Sequence, residues 1–425
     1  MATNLPLFTD TRDDIRDQLR SFEWRGKKTT VQEAAVSLED GSQAQVEVFV
    51  NEFWTSRQRA ASSLHEVSYR ACFKPQLPRF FIERLTAAGD AVYDPFMGRG
   101  TTPIEAALLG RVPCGSDINP LSAMLVAPRL EPPTAAQVAG RLHDVEWSEA
   151  GEVWDELLVF YHPETLREIC ALRQHLLRRA QAGTLDAADR WIRMVAVNRL
   201  TGHSAGFFSV YSLPPNQAVS IQSQKKINTD RNQTPPRRKV PELILRKTRS
   251  LLADCDEAVV RRLGQARGRA RVFTGPAAGP TDLEADSVAL VVTSPPFLDV
   301  VDYATDNWLR CWFCGIDAKG IELTVLRRLA DWETAMTAVF RELRRVLRPG
   351  GHVAFEVGEV RGGTVRLEQS VVRCARAAGL DAMLVLINSQ KFTKTANCWG
   401  VTNNSRGTNS NRIVLLEKQA ARGRR

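Results

Sequence analysis

The stretch AVYDPFMGRGTTPIEAALLG, Ala91 to Gly110, decides the fold. Its first four residues have strand character and end on Asp94. A turn with two glycines follows, and then a segment with Pro103 in its first turn and a closing glycine, which is how a helix starts and stops. A strand leading through such a turn into a helix is the opening unit of an open parallel α/β sheet, where ligands bind outside the carboxyl ends of the strands. Gly98 and Gly100 let backbone approach a ligand closely. The third glycine of G-x-G-x-x-G is replaced by Pro103, which weakens a dinucleotide reading. No lysine follows as in a P-loop, which argues against nucleoside triphosphates.

Working outward, PRFFIERLTAAGD upstream reads as a helix ended by Gly89, RVPCGSD as a second strand and NPLSAMLVA as a second helix. That second strand ends at Asp117, nineteen residues past Gly98. An acid there suits ribose hydroxyls. A ligand with a ribose but no required phosphate fits S-adenosylmethionine.

The α/β rhythm stops near residue 131 and resumes near 286. Strands are expected at SVALVV, HVAFEV, AMLVLI and RIVLLEK, with helices WETAMTAVFRELRRVL and EQSVVRCARAAG between them. One further strand, VEVFV, is expected at Val46–Val50. The fold class is therefore α/β: a doubly wound, Rossmann-like sheet with a largely helical insertion. Within the insertion, residues 201–240 are rich in Ser, Asn, Gln, Pro and basic residues. A loop of that length is usually functional or disordered.

The run SVALVV ends in TSPPF. Two prolines stop a strand and stiffen what precedes them. Ser294, Pro295, Pro296 and Phe297 then offer a hydroxyl, a carbonyl and an aromatic face in fixed relation, suited to something flat and polar.

The whole chain sets bounds on partners. It has 425 residues, 44% hydrophobic and 25% charged, with a net charge of +9. That excess favours an acidic partner such as nucleic acid. Between Gln217 and Lys247 lie eight basic residues and two acids, with amides among them. Lys225, Lys226, Arg231, Arg237, Arg238 and Lys239 are the candidates for nucleic-acid contact, with amides to read base edges. The N-terminus lacks a basic start followed by an apolar core, no run approaches membrane-spanning length, and the eight cysteines are scattered, so a cytoplasmic protein is expected. Cys311 and Cys314 form a lone CxxC, read as a packed helix face. The histidines show no metal-ligand spacing, and no metal is expected.

DPFMGRGTT, GSDINP and TSPPF together resemble the amino-methylating DNA methyltransferases, and CFKPQLPRFFIERL resembles the Lys-Pro segment that precedes their cofactor loop. The resemblance covers roughly residues 51–130 and 286–418 and is silent on the insertion. It implies that Asp94, Pro95, Phe96, Gly98, Gly100, Thr101 and Thr102 cradle the methionine part of S-adenosylmethionine, flanked by Lys74 and Pro75. Asp117, with Ile118 and Asn119, holds the ribose. The SPPF residues grip the target amine of a flipped base, and Asp302 and Tyr303 line its pocket. Double-stranded DNA is the implied partner, and the family allows a cognate restriction endonuclease beside it. Two points differ or stand out. Pro276 stands where an acid contacting the cofactor adenine is expected, and the order is Lys-Pro, cofactor loop, insertion, SPPF.

The domains expected are an N-terminal extension (1–70), the cofactor half (71–130), an inserted target-recognition region (131–285), the catalytic half (286–418) and a basic tail (419–425). Serine leading the motif leans toward cytosine N4. The alternatives are adenine N6 methylation, then RNA guanine-N2 methylation, then a non-catalytic DNA-binding subunit.

Overall fold

The computed structural model describes residues 11–38, 41–55, 61–69, 72–213, 218–296, 303–318, 326–358, 365–389 and 410–420. A two-stranded hairpin, β1 (Glu23–Trp24) and β2 (Lys27–Lys28), precedes the main sheet. The sheet is built from β3 (Thr30–Ser37), β4 (Gln43–Asn51), β5 (Ala91–Asp94), β6 (Val112–Asp117), β7 (Arg271–Thr274), β8 (Val288–Thr293), β9 (Leu347–Val357), β10 (Asp381–Ser389) and β11 (Ser410–Glu417). Its spatial order is β3-β4-β10-β11-β9-β8-β5-β6-β7. The run β9-β8-β5-β6-β7 is parallel throughout, while β11 is antiparallel to both its neighbours.

From β5 the chain steps to β6 and then β7 on one side, and returns to β8 on the other. The strand order thus reverses between β5 and β8. In doubly wound sheets that switch point opens the crevice where ligands sit. Asp94 ends one of these strands and Thr293 ends the other. The sheet is doubly wound, as the alternation in the sequence led us to expect.

Each sheet face has its own core. On one face Val92, Leu290, Val292, Ala354 and Ile413 pack against Phe80, Phe81 and Ile82 of the helix Gln76–Leu85. On the other, Val291, Val353 and Phe355 meet Trp332, Phe340 and Leu343 of the helix Leu329–Val346. All six residues of β8 are buried, which explains its unbroken apolar run. A third cluster joins the helix Pro120–Leu130 to the inserted helices Pro163–Gln181, Ala187–Val197 and Val240–Leu251. Trp191 is fully buried there, its indole N–H donating to Thr248 Oγ1 at 3.1 Å. Cys311 and Cys314 belong to the same cluster, and burial pushes their thiols up to about 11 and about 12.

Several elements were not expected from the sequence, among them the helix Thr11–Ser21 and the hairpin β1–β2, and three bear on the sheet and the insertion. The strand β3 carries side chains that are mostly exposed, so it has no alternating pattern to read. It pairs with β4 and carries the sheet into the first 70 residues. The strand β7 is only four residues long and pairs with β6, so the sheet also reaches into the 131–285 span. Finally, residues 221–230 form a helix where a loop was expected. It is docked by amides rather than by an apolar stripe. The buried Gln224 donates to the Tyr211 carbonyl at 3.1 Å and to Asn228 Oδ1 at 2.7 Å, and Asn228 Nδ2 donates to the Val159 carbonyl at 2.7 Å. Among the described residues no helix is long and apolar enough to cross a membrane.

Candidate active site

Asp94 is 1% exposed and accepts from the Phe96 N–H at 3.0 Å and from Thr293 Oγ1 at 2.6 Å. The second bond ties the glycine turn to the residue before Ser294. A second tie runs the same way: Thr102 Oγ1 donates to the Val292 carbonyl at 2.9 Å. Two segments about 190 residues apart in the chain are thus held together at the sheet's switch point. Burial pushes the Asp94 carboxyl up to about 7, against the opposing pull of its hydrogen bonds to Thr293 and the Phe96 N–H.

Asp117, at the end of β6, braces the same turn. One oxygen accepts from the Gly98 N–H at 2.9 Å and the other from the Asn119 N–H at 2.9 Å. Burial raises its carboxyl as well. A carboxylate has about four acceptor sites, so it retains capacity to accept from a diol beyond these bonds. Asn119 caps the following helix, accepting from the Leu121 N–H at 3.0 Å, and its amide donates to Tyr69 Oη at 3.3 Å. Ile118 lies between them, half-buried.

The glycines have a further reason beyond room for a ligand. Gly100 has φ +79°, and a Cβ there would lie 2.2 Å from Val126 Cγ2 of the helix Pro120–Leu130. Gly98 has φ +49°, and its Cβ position lies 3.5 Å from the Tyr69 ring. The turn is also locked by Arg99, whose guanidinium donates to the carbonyls of His65 (3.3 Å), Val67 (3.0 Å) and Phe73 (3.2 Å) and to Thr101 Oγ1 (3.2 Å). Beneath it the fully buried Arg129 donates to the Arg99 carbonyl. Lys74 is half-buried beside the turn. Burial, and after it the Arg99 charge, lowers its ammonium pKa. Pro75, buried, begins the helix Gln76–Leu85.

In the second loop Ser294 is half-buried, Pro295 buried and Pro296 exposed. The Pro296 carbonyl accepts from the Trp332 indole N–H at 3.1 Å, and Trp332 is itself fully buried. Phe297 and Asp302 lie outside the described residues. Tyr303 begins the helix Tyr303–Cys314, and its side chain lies outside them too. Tyr69, Arg129, Trp332 and Glu356 were not singled out from the sequence, and Arg99 figured there only inside the string DPFMGRGTT. Thr293 likewise figured only inside TSPPF.

In the insertion, Lys225 and Lys226 are exposed on the helix Ile221–Asp230. Other candidates are engaged within the protein. Arg231 stacks over the Tyr211 ring at 3.8 Å, Arg237 pairs with Glu164 at 2.6 Å and with Glu168, and Lys239 pairs with Glu242 at 2.8 Å. Arg238, Arg246 and Arg249 line an open groove of about 750 Å³ with Lys239 and Glu242. Among the described residues no group of three or more His, Cys, Asp or Glu is placed to hold a metal ion.

The sheet order and the two tied loops define a doubly wound α/β protein whose glycine turn and Ser-Pro-Pro turn meet at the sheet's switch point. Comparison with known proteins finds partial sequence matches. The DNA methylase family model matches residues 13–124. The Type II methyltransferase M.MvaI of Kocuria varians is 34% identical over 97 residues, 22% of this chain and 20% of that protein. M.BsoBI of Geobacillus stearothermophilus is 22% identical over 303 residues, 65% of this chain and 58% of that protein. The chain thus spans between an eighth and just over half of the length of the curated relatives it matches. A TehB-like methyltransferase structure from Corynebacterium glutamicum aligns over 80% of this chain and 87% of its own at 9% identity, with a TM-score of 0.30. That likeness is loose, and the fold rests on the strand order instead. The sequence matches are thus to a DNA methylase family model over about a quarter of this chain and to parts of Type II methyltransferases.

Proposed function

We propose that the protein transfers a methyl group from S-adenosylmethionine to an exocyclic amine of a base in double-stranded DNA, cytosine N4 ahead of adenine N6. The carrying observation is the Thr293–Asp94 hydrogen bond at 2.6 Å, which ties the strand before the glycine turn to the residue before the Ser-Pro-Pro turn.

The residues fit the methyl donor. Asp117 presents a carboxylate to a diol, and the buried Asp94 lies under the turn that would face a cationic ligand. When bound, S-adenosylmethionine supplies an electrophilic methyl on a positively charged sulfur. The chain's own part is orientation. Ser294 Oγ and the Pro295 carbonyl accept from the two amine hydrogens. Trp332 occupies the Pro296 carbonyl, so that acceptor is spent on fixing the turn. No strong base is needed, because the proton can leave after transfer. Holding amine and methyl in line supplies much of the rate. A base inside a duplex is out of reach, so it must be flipped out at a cost of about a few kcal/mol. Serine in the leading position supports cytosine N4.

The insertion serves target recognition in this reading. Lys225, Lys226 and the Arg238–Arg246–Arg249 groove are its phosphate contacts. Gln224, Asn228 and Gln233 are bonded inside the protein and are not base readers. A restriction endonuclease of the same specificity is a fitting companion.

Expression in a methylation-free bacterial host, followed by mapping of modified bases, tests the reading. N4-methylcytosine in a fixed sequence context is expected. N6-methyladenine would shift the base, and unmodified DNA under verified expression would overturn the activity.

A further inference from the structure

Glu356 is a buried acid that neither the Ser-Pro-Pro turn nor the cofactor loop contains. It sits one residue from the end of β9, on the same sheet face as Leu290, Val292, Ala354 and Ile413. The β8–β9 register pairs Thr293 with Phe355, which places Ser294 and Glu356 side by side just beyond. The Ser294 hydroxyl is within hydrogen-bonding reach of the Glu356 carboxyl. Asn411, arriving on β11, donates its amide to the same carboxyl.

An apolar residue would be cheaper at such a position. A buried carboxylate normally needs a cation, since burying an unpaired charge costs far more than burying a polar group. No charged side chain among the described residues supplies one. Arg412 of β11 is paired with Glu368 at 3.0 Å. On the helix across this face, Arg79 is bonded to Glu105 at 2.5 Å, and Arg84 to the Phe80 carbonyl at 3.0 Å. Asp94, on β5, is turned to Thr293. Arg16, of the helix Thr11–Ser21, donates to the Met383 carbonyl at 3.0 Å. Among the described residues the carboxyl faces Ser294 and Asn411.

A serine hydroxyl has one proton and two lone pairs. Left to itself it can turn its proton toward an incoming amine, which then meets a donor where it needs an acceptor. We infer that Glu356 is the positioning residue for Ser294: as a carboxylate it accepts the Ser294 O–H, so that the oxygen's lone pairs face the exocyclic amine. This rests on the methyltransferase reading above. A protonated Glu356 can donate to Ser294 Oγ instead, which spends a lone pair and frees the hydroxyl proton to point the wrong way. Burial holds this carboxyl up to about 7, so the switch falls within the working range.

The test compares wild type with Glu356→Gln, a neutral mimic of the protonated acid. Methylation of DNA is followed at saturating S-adenosylmethionine from pH 5.5 to 8.5, with cofactor affinity measured by calorimetry. The wild-type to variant kcat ratio is expected to be near one at pH 5.5. It should grow to about tenfold by pH 8, the difference between a charge-assisted and a neutral hydrogen bond. Cofactor affinity should stay unchanged. A ratio constant with pH, or no loss at pH 8, overturns the inference. Should that variant not fold, Asn411→Ala serves: it withdraws a donor from the carboxylate, so the wild-type rise in kcat must move to higher pH, and an unmoved rise overturns it. Wild type that methylates no DNA sinks the methyltransferase reading itself, which is a separate result.

Discussion

Thr293 donates its hydroxyl proton to the carboxyl of Asp94 across 2.6 Å, joining the last residue of β8 to the last residue of β5. The bond lies where the sheet's winding reverses, and it is the seam between the two halves of the proposed site. Thr293→Val keeps the shape and removes the donor. A buried acceptor left short of a partner costs about 1–3 kcal/mol. Chemical denaturation should show that loss. A double-mutant cycle with Asp94→Asn should show coupling between the two positions.

Asp94 also makes stability depend on pH. Its folded pKa, about 7, lies above the ordinary carboxylate value. The native state therefore holds a proton that the unfolded chain releases from about pH 4 upward, and stability falls as pH rises through that window to about 7. Asn cannot ionise. The melting temperature of Asp94→Asn relative to wild type should accordingly improve from pH 4 to about pH 7 and level off above it, whatever its sign at pH 4. A flat difference would place the carboxyl in water.

The two positive-φ glycines at either end of the helix Thr101–Leu108 separate strain from collision. Gly110, φ +76°, has open space at its Cβ position, whereas Gly100 would meet Val126 at 2.2 Å. Gly110→Ala should cost about 1–2 kcal/mol, the penalty of a left-handed conformation alone. Gly100→Ala adds overpacking of about 1–3 kcal/mol and should be distinctly worse in denaturant titrations.

Trp332→Phe preserves most of a buried ring and deletes the N–H that holds the Pro296 carbonyl. Cofactor affinity should survive, because the indole lies on the Ser-Pro-Pro side of the site. Steady-state kinetics should show kcat reduced with the KM for S-adenosylmethionine little changed.

What the sequence disclosed follows from where physics is local. The turn Asp94–Gly100 and the buried run of β8 announce themselves through glycine, proline and unbroken apolar residues. The edge strands β3 and β7 do not, because one is mostly exposed and the other is four residues long. The helix Ile221–Asp230 was hidden because amides, not leucines, anchor it. Residues such as Trp332 and Glu356 gain meaning only from partners at least 36 positions away, which no spacing in the chain reveals.

The most direct measurement is on Ser294→Ala, read twice: binding of S-adenosylmethionine by calorimetry and methylation of DNA in a single turnover. Donor affinity within about twofold of wild type, with the methylation rate down about a hundredfold or more as for loss of one oriented polar group, is the predicted result. Full methylation by the variant would contradict a role for this hydroxyl at the reacting amine. Loss of donor binding together with activity would equally contradict the division of labour between the two loops.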